Sequence, residues 1–229
     1  MANDPFKACV FDAYGTLFDV HSAVAKHAAL VGKDAAEISK LWRTKQLEYS
    51  WVHSLMMRHL DFWNLTEAAL EYALAFFKVR DERVKRLLLE SYLSLDAHRE
   101  VPIVLQKLRA AGLKTAVLSN GSPFMLDRAI SSAGLNGLID KCLSIEEVCA
   151  YKPDPAAYEI ATVSLSVRPA EVAFFSSNAW DAVGAHAFGF RPFWVNRSGQ
   201  PEEYGLTSKA TFLESLDEGV NHVVAAVER

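Results

Sequence analysis

One repeated pattern limits what this chain can fold into: a short apolar run stops at a polar residue, and a helical segment follows. Residues 7–11 (Lys-Ala-Cys-Val-Phe) run into Asp12, with Gly15 in the turn beyond. Residues 115–119 run into Asn120-Gly121, residues 172–176 run into Ser177-Asn178, and a fourth run occupies 191–195. Runs of this kind read as strands buried on both faces. The segments 102–111, 124–133, 156–165 and 181–188 read as helices. Gly112, Gly134 and Gly189 stand where a helix end takes a left-handed residue. Strand and helix alternating at this period predict a parallel α/β sheet with right-handed crossovers. Ligands of such sheets lie beyond the carboxyl ends of the strands, where all three polar tips fall.

Residues 20–98 break the pattern, because strand signals vanish there and helical ones strengthen. Asp34-Ala-Ala-Glu37 has the form of a capping box, and Ile38, Leu41, Trp42, Tyr49 and Val52 keep helical spacing behind it. Leu70, Ala73, Leu74 and Phe77 mark a later helix, and residues 83–93 another. The expected organisation is a core of residues 1–19 and 99–229, interrupted by an all-helical cap of residues 20–98 that lies as a lid over the strand tips.

Composition narrows the function classes. With 51% hydrophobic and 23% charged residues the chain has ample material for a core, which excludes a disordered protein. Lys and Arg number 24 against 28 Asp and Glu, so no global positive field exists to hold nucleic acid or an anionic membrane. No apolar run approaches the ~20 residues of a membrane span, and the first residues lack the basic and apolar regions of a signal peptide. Three cysteines without C-x-x-C spacing suit a reducing, cytoplasmic setting. The seven histidines are scattered and form no metal-ligand pattern.

Asp12-Ala-Tyr-Gly-Thr16 is where chemistry becomes specific. A carboxylate at the end of a buried strand, exposed N–H groups in the next turn and a hydroxyl four residues on suit a nucleophile with an anion cradle. The alternative for Asp12 is an ordinary Asx-turn. Arg43 and Leu47 lie four apart on the same helix face and could descend into the site together, or Arg43 could be a solvated surface residue. Lys152 precedes a proline, which favours extended backbone, and its charge beside Asp12 would hold the nucleophile in its carboxylate form. Asp181 could also cap the helix that it begins, and Phe62 and Trp180 could be plain core residues.

Asp12–Thr16, Ser119-Asn120, Lys152-Pro153 and Ser177…Asp181 resemble, in order and separation, the four motifs of the haloacid dehalogenase superfamily. With the helical insert after the first strand, the resemblance spans essentially the whole chain. It implies a Rossmann-like core with an inserted helical cap. Most members are magnesium phosphatases with a second aspartate two residues after the nucleophile; here that position is Tyr14, a far weaker acid. Ser177 stands where those enzymes keep a metal-binding aspartate, so two carboxylates that could hold magnesium are missing.

Asp12-Ala-Tyr-Gly-Thr16, residues 41–49 and Ser176-Ser-Asn-Ala-Trp-Asp181 resemble the (S)-2-haloacid dehalogenases in particular. That resemblance implies a reaction without metal or other cofactor. Asp12 would displace halide from C2 of a short 2-haloalkanoic acid, inverting it, and water would hydrolyse the resulting ester. Arg43 and Asn120 would receive the halide, while Ser119 and the N–H groups of Ala13 and Tyr14 would hold the substrate carboxylate. Lys152, Asp181, Ser176 and Asn178 would activate water, and Thr16 and Tyr158 would orient Asp12 and Lys152. Tyr14, Leu47, Phe62 and Trp180 would wall the substrate. The partners implied are the small halogenated acid and water, with pairing into a homodimer as a family expectation. A phosphatase and a catalytically silent binding relative are the alternatives.

Overall fold

A computed structural model describes residues 5–227. Its frame is a six-stranded sheet, every neighbouring pair parallel. The strands are β1 (Ala8–Phe11), β2 (Lys114–Ser119), β3 (Lys141–Ser144), β4 (Val172–Ser176), β5 (Arg191–Val195) and β6 (Thr211–Leu213), in spatial order β3-β2-β1-β4-β5-β6. The order reverses at β1, so the first strand lies between β2 and β4. The tips carrying Asp12, Asn120 and Ser177 are therefore neighbours, at the switch point where open α/β sheets bind ligands.

The helices are α1 (Ser22–Ala25), α2 (Ala28–Val31), α3 (Ala35–Leu55), α4 (Phe62–Phe76), α5 (Glu82–Tyr92), α6 (Val101–Ala110), α7 (Pro123–Ser132), α8 (Pro155–Leu165), α9 (Ala179–Phe188) and α10 (Leu216–Val227). α6 to α9 follow the expected segments, and Gly112, Gly134 and Gly189 all take positive φ just past their ends. Three elements lie outside the expected pattern. β3 and β6 are short outer strands with exposed residues, so neither writes a continuous apolar run. α10 has helical apolar spacing at Leu216, Val220, Val223 and Val224.

Between β1 and α6 the chain is helical from α1 to α5. It leaves and returns along adjacent tracks: Asp19 N–H donates to Asp96 O at 2.8 Å, and His98 N–H donates to Leu17 O at 2.9 Å. The capping box expected at Asp34 does not form. Asp34 sits at the cap position of α3 without a side-chain cap bond, and Glu37 turns outward to Lys40. Asp61 and Asp81 are the working caps, accepting from Trp63 and Asn64 N–H and from Arg83 N–H. Their backbones are not in the near-helical conformation that keeps the Asp34 side chain from its target.

Sheet and helical block share one buried apolar cluster. Ile38, Trp42, Phe62 and Leu70 belong to it together with Phe11, Val117 and Phe174. On the sheet, Phe11, Phe175 and Phe193 fall in register across β1, β4 and β5 and stack at 4.9 and 4.8 Å. This cross-strand aromatic ladder holds β1 against β4 directly below the site.

α9 meets α8 and the segment carrying Lys152 at Gly184, where an added Cβ would lie 2.5 Å from the Tyr158 hydroxyl and 2.6 Å from Pro153 Cβ. Alanine inside a helix gains about 1 kcal/mol over glycine. Overpacking a close contact costs about 1–3 kcal/mol and falls here on a rigid ring and a hydrogen-bonded phenol, so it wins. Gly184→Ala is expected to lower the urea midpoint of unfolding. A midpoint equal to or above that of the parent would show that α9 has room to move.

Candidate active site

Asp12 follows β1, and its N–H donates to Phe175 O at 2.9 Å, which fixes its backbone against β4. Its carboxylate is nearly buried and meets three donors. Lys152 Nζ lies 3.2 Å from Oδ1, while the Thr16 hydroxyl and Asn178 Nδ2 reach Oδ2 at 3.0 and 2.8 Å. Oδ2 is thus filled, and Oδ1 keeps an open lone-pair direction. Gly15, with φ of 92°, makes the turn that brings Thr16 back over Asp12. The Thr16 hydroxyl oxygen in turn accepts from Ser177 N–H at 2.8 Å, so the loops after β1 and β4 are tied through one side chain.

Lys152 is completely buried, and its ammonium bridges two carboxylates, Asp12 and Asp181, the second at 3.0 Å. A buried charge needs such partners. Its backbone is held as well: its N–H donates to Asn120 Oδ1 at 3.0 Å, and its carbonyl accepts from Trp51 Nε1 at 3.2 Å. The peptide joining Lys152 to Pro153 is cis.

Asp181 lies in the first turn of α9 and is not its cap; Asn178 holds the cap position. Being fully buried, the Asp181 side chain turns inward, with Oδ2 accepting from Lys152 and from the Ser176 hydroxyl at 3.0 Å and Oδ1 from the Tyr158 hydroxyl at 2.8 Å. Burial raises its carboxyl from 3.8 to about 6; nearby Asp12 adds to the shift and Lys152 opposes it. Tyr158 was expected to orient Lys152. It reaches Asp181 instead, because its hydroxyl points at α9, where it bonds both the carboxylate and the carbonyl of that residue. Its effect on Lys152 passes through Asp181.

The expected anion cradle lies beside this triad. Ala13 and Tyr14 N–H groups have no acceptor among the described residues. Ser119 is fully buried at the tip of β2; its Oγ accepts from Gly121 N–H at 3.0 Å, leaving its hydroxyl proton to donate elsewhere. Asn120 uses its amide oxygen on Lys152, which leaves the NH₂ group as a donor. Arg43 reaches down from α3, donating from Nη2 to Tyr14 O at 3.2 Å and from Nη1 to Gln46 Oε1 at 2.7 Å.

Tyr14 is buried among Tyr92, Phe62 and Phe18, at ring separations of 5.6, 6.3 and 6.4 Å. Its hydroxyl has no partner among the described residues, and burial raises its pKa well above the ordinary phenol value, so it stays neutral. Trp180 packs edge-on against Trp51 at 5.4 Å. Leu47 is half-buried on α3, one turn beyond Arg43.

Two contributors are absent from the expected set. Trp51 links α3 to the Lys152 carbonyl. Arg197, in the loop after β5, donates to the carbonyls of Gly15 and Thr16 and to Ser177 Oγ at 3.3, 3.0 and 2.9 Å, and pairs with Glu100 at 2.7 Å. Both act on backbone from elements far away in sequence, so no local spacing announces them.

This donor set suits an ionised nucleophile more than a divalent cation. Each Asp12 oxygen already faces a hydrogen-bond donor: the Lys152 ammonium at Oδ1, and the Thr16 hydroxyl and Asn178 amide N–H at Oδ2; neither the ammonium nor the amide nitrogen is a metal ligand. The carboxylate is held for attack on carbon or phosphorus, beside N–H donors for a second anion.

Residues 6–189 match the haloacid dehalogenase-like hydrolase family. Over 216 residues the chain is 49% identical to (S)-2-haloacid dehalogenase 1 of Pseudomonas sp. (strain CBS-3), covering 94% of this chain and 95% of that one. A solved dehalogenase structure superposes with a TM-score of 0.93 at 45% identity, over 96% of this chain and 97% of the other. The L-2-haloacid dehalogenase of Xanthobacter autotrophicus, solved with chloropropionic acid covalently bound, gives 0.88 at 34% identity, over 95% and 98%. With its sheet order, its aspartate tip and these likenesses, the chain belongs to the haloacid dehalogenase-like hydrolases.

Proposed function

We propose that this protein hydrolyses short (S)-2-haloalkanoic acids to (R)-2-hydroxyalkanoic acids and halide, with inversion at C2. The carrying observation is the Asp12 carboxylate, pinned through Oδ2 by two neutral donors and meeting only Lys152 at Oδ1, with a phenol where phosphate chemistry needs a carboxylic acid. Halide is a stable anion and needs no proton from a general acid. The covalently bound chloropropionic acid of the Xanthobacter relative fits an ester of this kind.

The substrate carboxylate docks on Ala13 and Tyr14 N–H and the Ser119 hydroxyl, setting C2 in line with Asp12 Oδ1. Oδ1 attacks C2, and the carbon–halogen bond breaks with its electron pair on the halide, which departs toward Arg43 and the Asn120 amide. In the ester, Oδ2 becomes the carbonyl oxygen. It already faces Thr16 and Asn178, the two donors that its tetrahedral oxyanion requires, so little reorganises in the second step. Water attacks Cγ of Asp12 and gives a proton to Asp181, whose raised basicity suits the task. Collapse breaks the Cγ–Oδ1 bond; the departing alkoxide, which is the original Oδ1, takes the proton held by Asp181 and leaves as the hydroxyacid, while Asp12 keeps the water oxygen and loses the second proton of the water to solvent.

Residues 20–98 act as the lid that carries Arg43, Leu47 and Phe62 over the core of 1–19 and 99–229. No helix among the described residues is long and apolar enough to cross a membrane. Free thiols at Cys142 and Cys149, both exposed, support a cytoplasmic setting.

The purified protein, pretreated with chelator, is expected to release chloride from (S)-2-chloropropionate, and Asp12→Asn to release none. A single turnover in ¹⁸O-water should label Asp12 and leave the hydroxyacid unlabelled. Phosphate release that depends on magnesium, without halide release, would establish a phosphatase. Label in the product would exclude the ester.

A second expectation concerns Asp181. Between the unfolded value of 3.8 and about 6, the folded chain keeps a proton that the unfolded chain has lost. The contribution of this group to stability therefore falls as pH rises through that window. The stability of the parent relative to Asp181→Asn should increase from pH 6 to pH 4, while turnover of the parent falls over the same range. A flat stability difference in urea unfolding would count against the raised carboxyl.

A further inference from the structure

Arginine is long and flexible, so a guanidinium serves a departing ion well only if it is held in one place. On α3 one buried amide does this. Gln46 is completely buried, three residues beyond Arg43. Its Oε1 accepts from Arg43 Nη1 at 2.7 Å and from the Tyr92 hydroxyl at 3.1 Å. Its Nε2 donates to Thr66 Oγ1 at 2.7 Å, and the Thr66 hydroxyl donates onward to Phe62 O at 2.7 Å.

The chain of bonds has a single direction. A carbonyl only accepts, so Thr66 gives its proton to Phe62 and must receive from Gln46. That turns the glutamine oxygen toward Arg43 and Tyr92, the two donors that need it. The rest of the setting is rigid: Trp42 Nε1 donates to Thr66 O at 2.8 Å, and the Tyr92 ring lies almost parallel to Tyr14, 17° off. Buried networks held by this many hydrogen bonds favour one conformation. The neutrality of Gln46 matters too, since a carboxylate there would pair with the guanidinium and spend the charge that a halide needs.

We propose that Gln46, locked by Thr66 and Tyr92, is the positioning residue for Arg43, and that it thereby sets how strongly the rate depends on which halide leaves. The proposal rests on the reading of Arg43 as the group that receives halide. Chloride is a poorer leaving group than bromide and draws more on a well-placed cation in the transition state. Loosening the guanidinium therefore penalises chloride more.

The test is the ratio of kcat/KM for (S)-2-bromopropionate to that for (S)-2-chloropropionate, a quantity that includes halide departure. Arg43→Lys and Gln46→Met are expected to raise the ratio about fivefold or more. Thr66→Val, nearly isosteric and remote from the guanidinium, should raise it less, and Thr66→Ser, which keeps the hydroxyl, should return it to the parent value. A merely structural loss lowers both rates together and leaves the ratio alone. If Arg43→Lys shifts the ratio while Gln46→Met and Thr66→Val do not, the proposal is overturned. If Arg43→Lys leaves it unchanged, the halide role of Arg43 falls instead. Should Gln46→Met fail to fold, the contrast between Thr66→Val and Thr66→Ser decides alone.

Discussion

An ammonium with no solvent around it governs this architecture. Lys152 is buried between Asp12 and Asp181, and stripping water from three charged groups is expensive unless each meets a partner. Removing one member of such a buried pair typically costs about 3–5 kcal/mol, because the survivor is left uncompensated. The three charges come from the tips of different elements: the end of β1, the turn before α8 and the first turn of α9. Their mutual need therefore draws those elements together as firmly as the apolar layers beneath. Two carboxylates around one lysine leave an excess negative charge. Full burial then penalises ionised Asp181, the direction a water-activating base requires. Stability is given up at the position where the proposed mechanism calls for a base.

The same lysine binds the helical block to the sheet. Trp51 on α3 donates to the Lys152 carbonyl, Ser54 accepts from Tyr151 N–H at 3.0 Å, and Trp51 packs against Trp180 on α9. Arg43 adds a contact on the other side, at the Tyr14 carbonyl. Both α3 contacts fall on backbone carbonyls, those of Lys152 and Tyr14, so any shift of α3 is felt at Lys152 and in the turn after Asp12 together. With one apolar cluster running from sheet to helices, the block behaves as the upper wall of the site and not as a separately solvated body.

Much of this was legible in the sequence because its signals are local. Four strands announce themselves as apolar runs, and Asp12, Asn120 and Ser177 announce themselves by ending three of them. β3 and β6 are illegible for the converse reason: an outer strand is covered on fewer sides and can be as polar as Lys141-Cys142. Tyr158 shows the limit of reading roles by motif. Its presence near the site could be expected, but whether its hydroxyl meets Lys152 or Asp181 depends on how α8 crosses α9, which Gly184 permits by lacking a side chain. Arg197 and Trp51 act on carbonyls of distant segments, and a carbonyl carries no residue identity for a sequence to display. The Asp34–Glu37 box failed because matching side chains do not ensure a cap: the backbone of Asp34 is close to helical, and Glu37 finds Lys40 in solvent.

The donors around Asp12 also explain why Tyr14 belongs here. A mobile carboxylic acid two residues after the nucleophile would bring a third buried acid toward a cluster already one cation short. Halide departure would gain nothing from its proton. A neutral aromatic ring at that place would instead exclude water from the bond that the proposed mechanism breaks, and it stacks on Tyr92, the residue that helps hold Gln46. In the proposed mechanism Thr16 and Asn178 serve both chemical steps without changing partners. They steady the carboxylate through Oδ2 while Oδ1 attacks, and they face the same oxygen when it becomes the oxyanion. A site whose donors are already in place in this way stays organised before substrate arrives, which is the condition under which electrostatic stabilisation costs least at the moment of reaction.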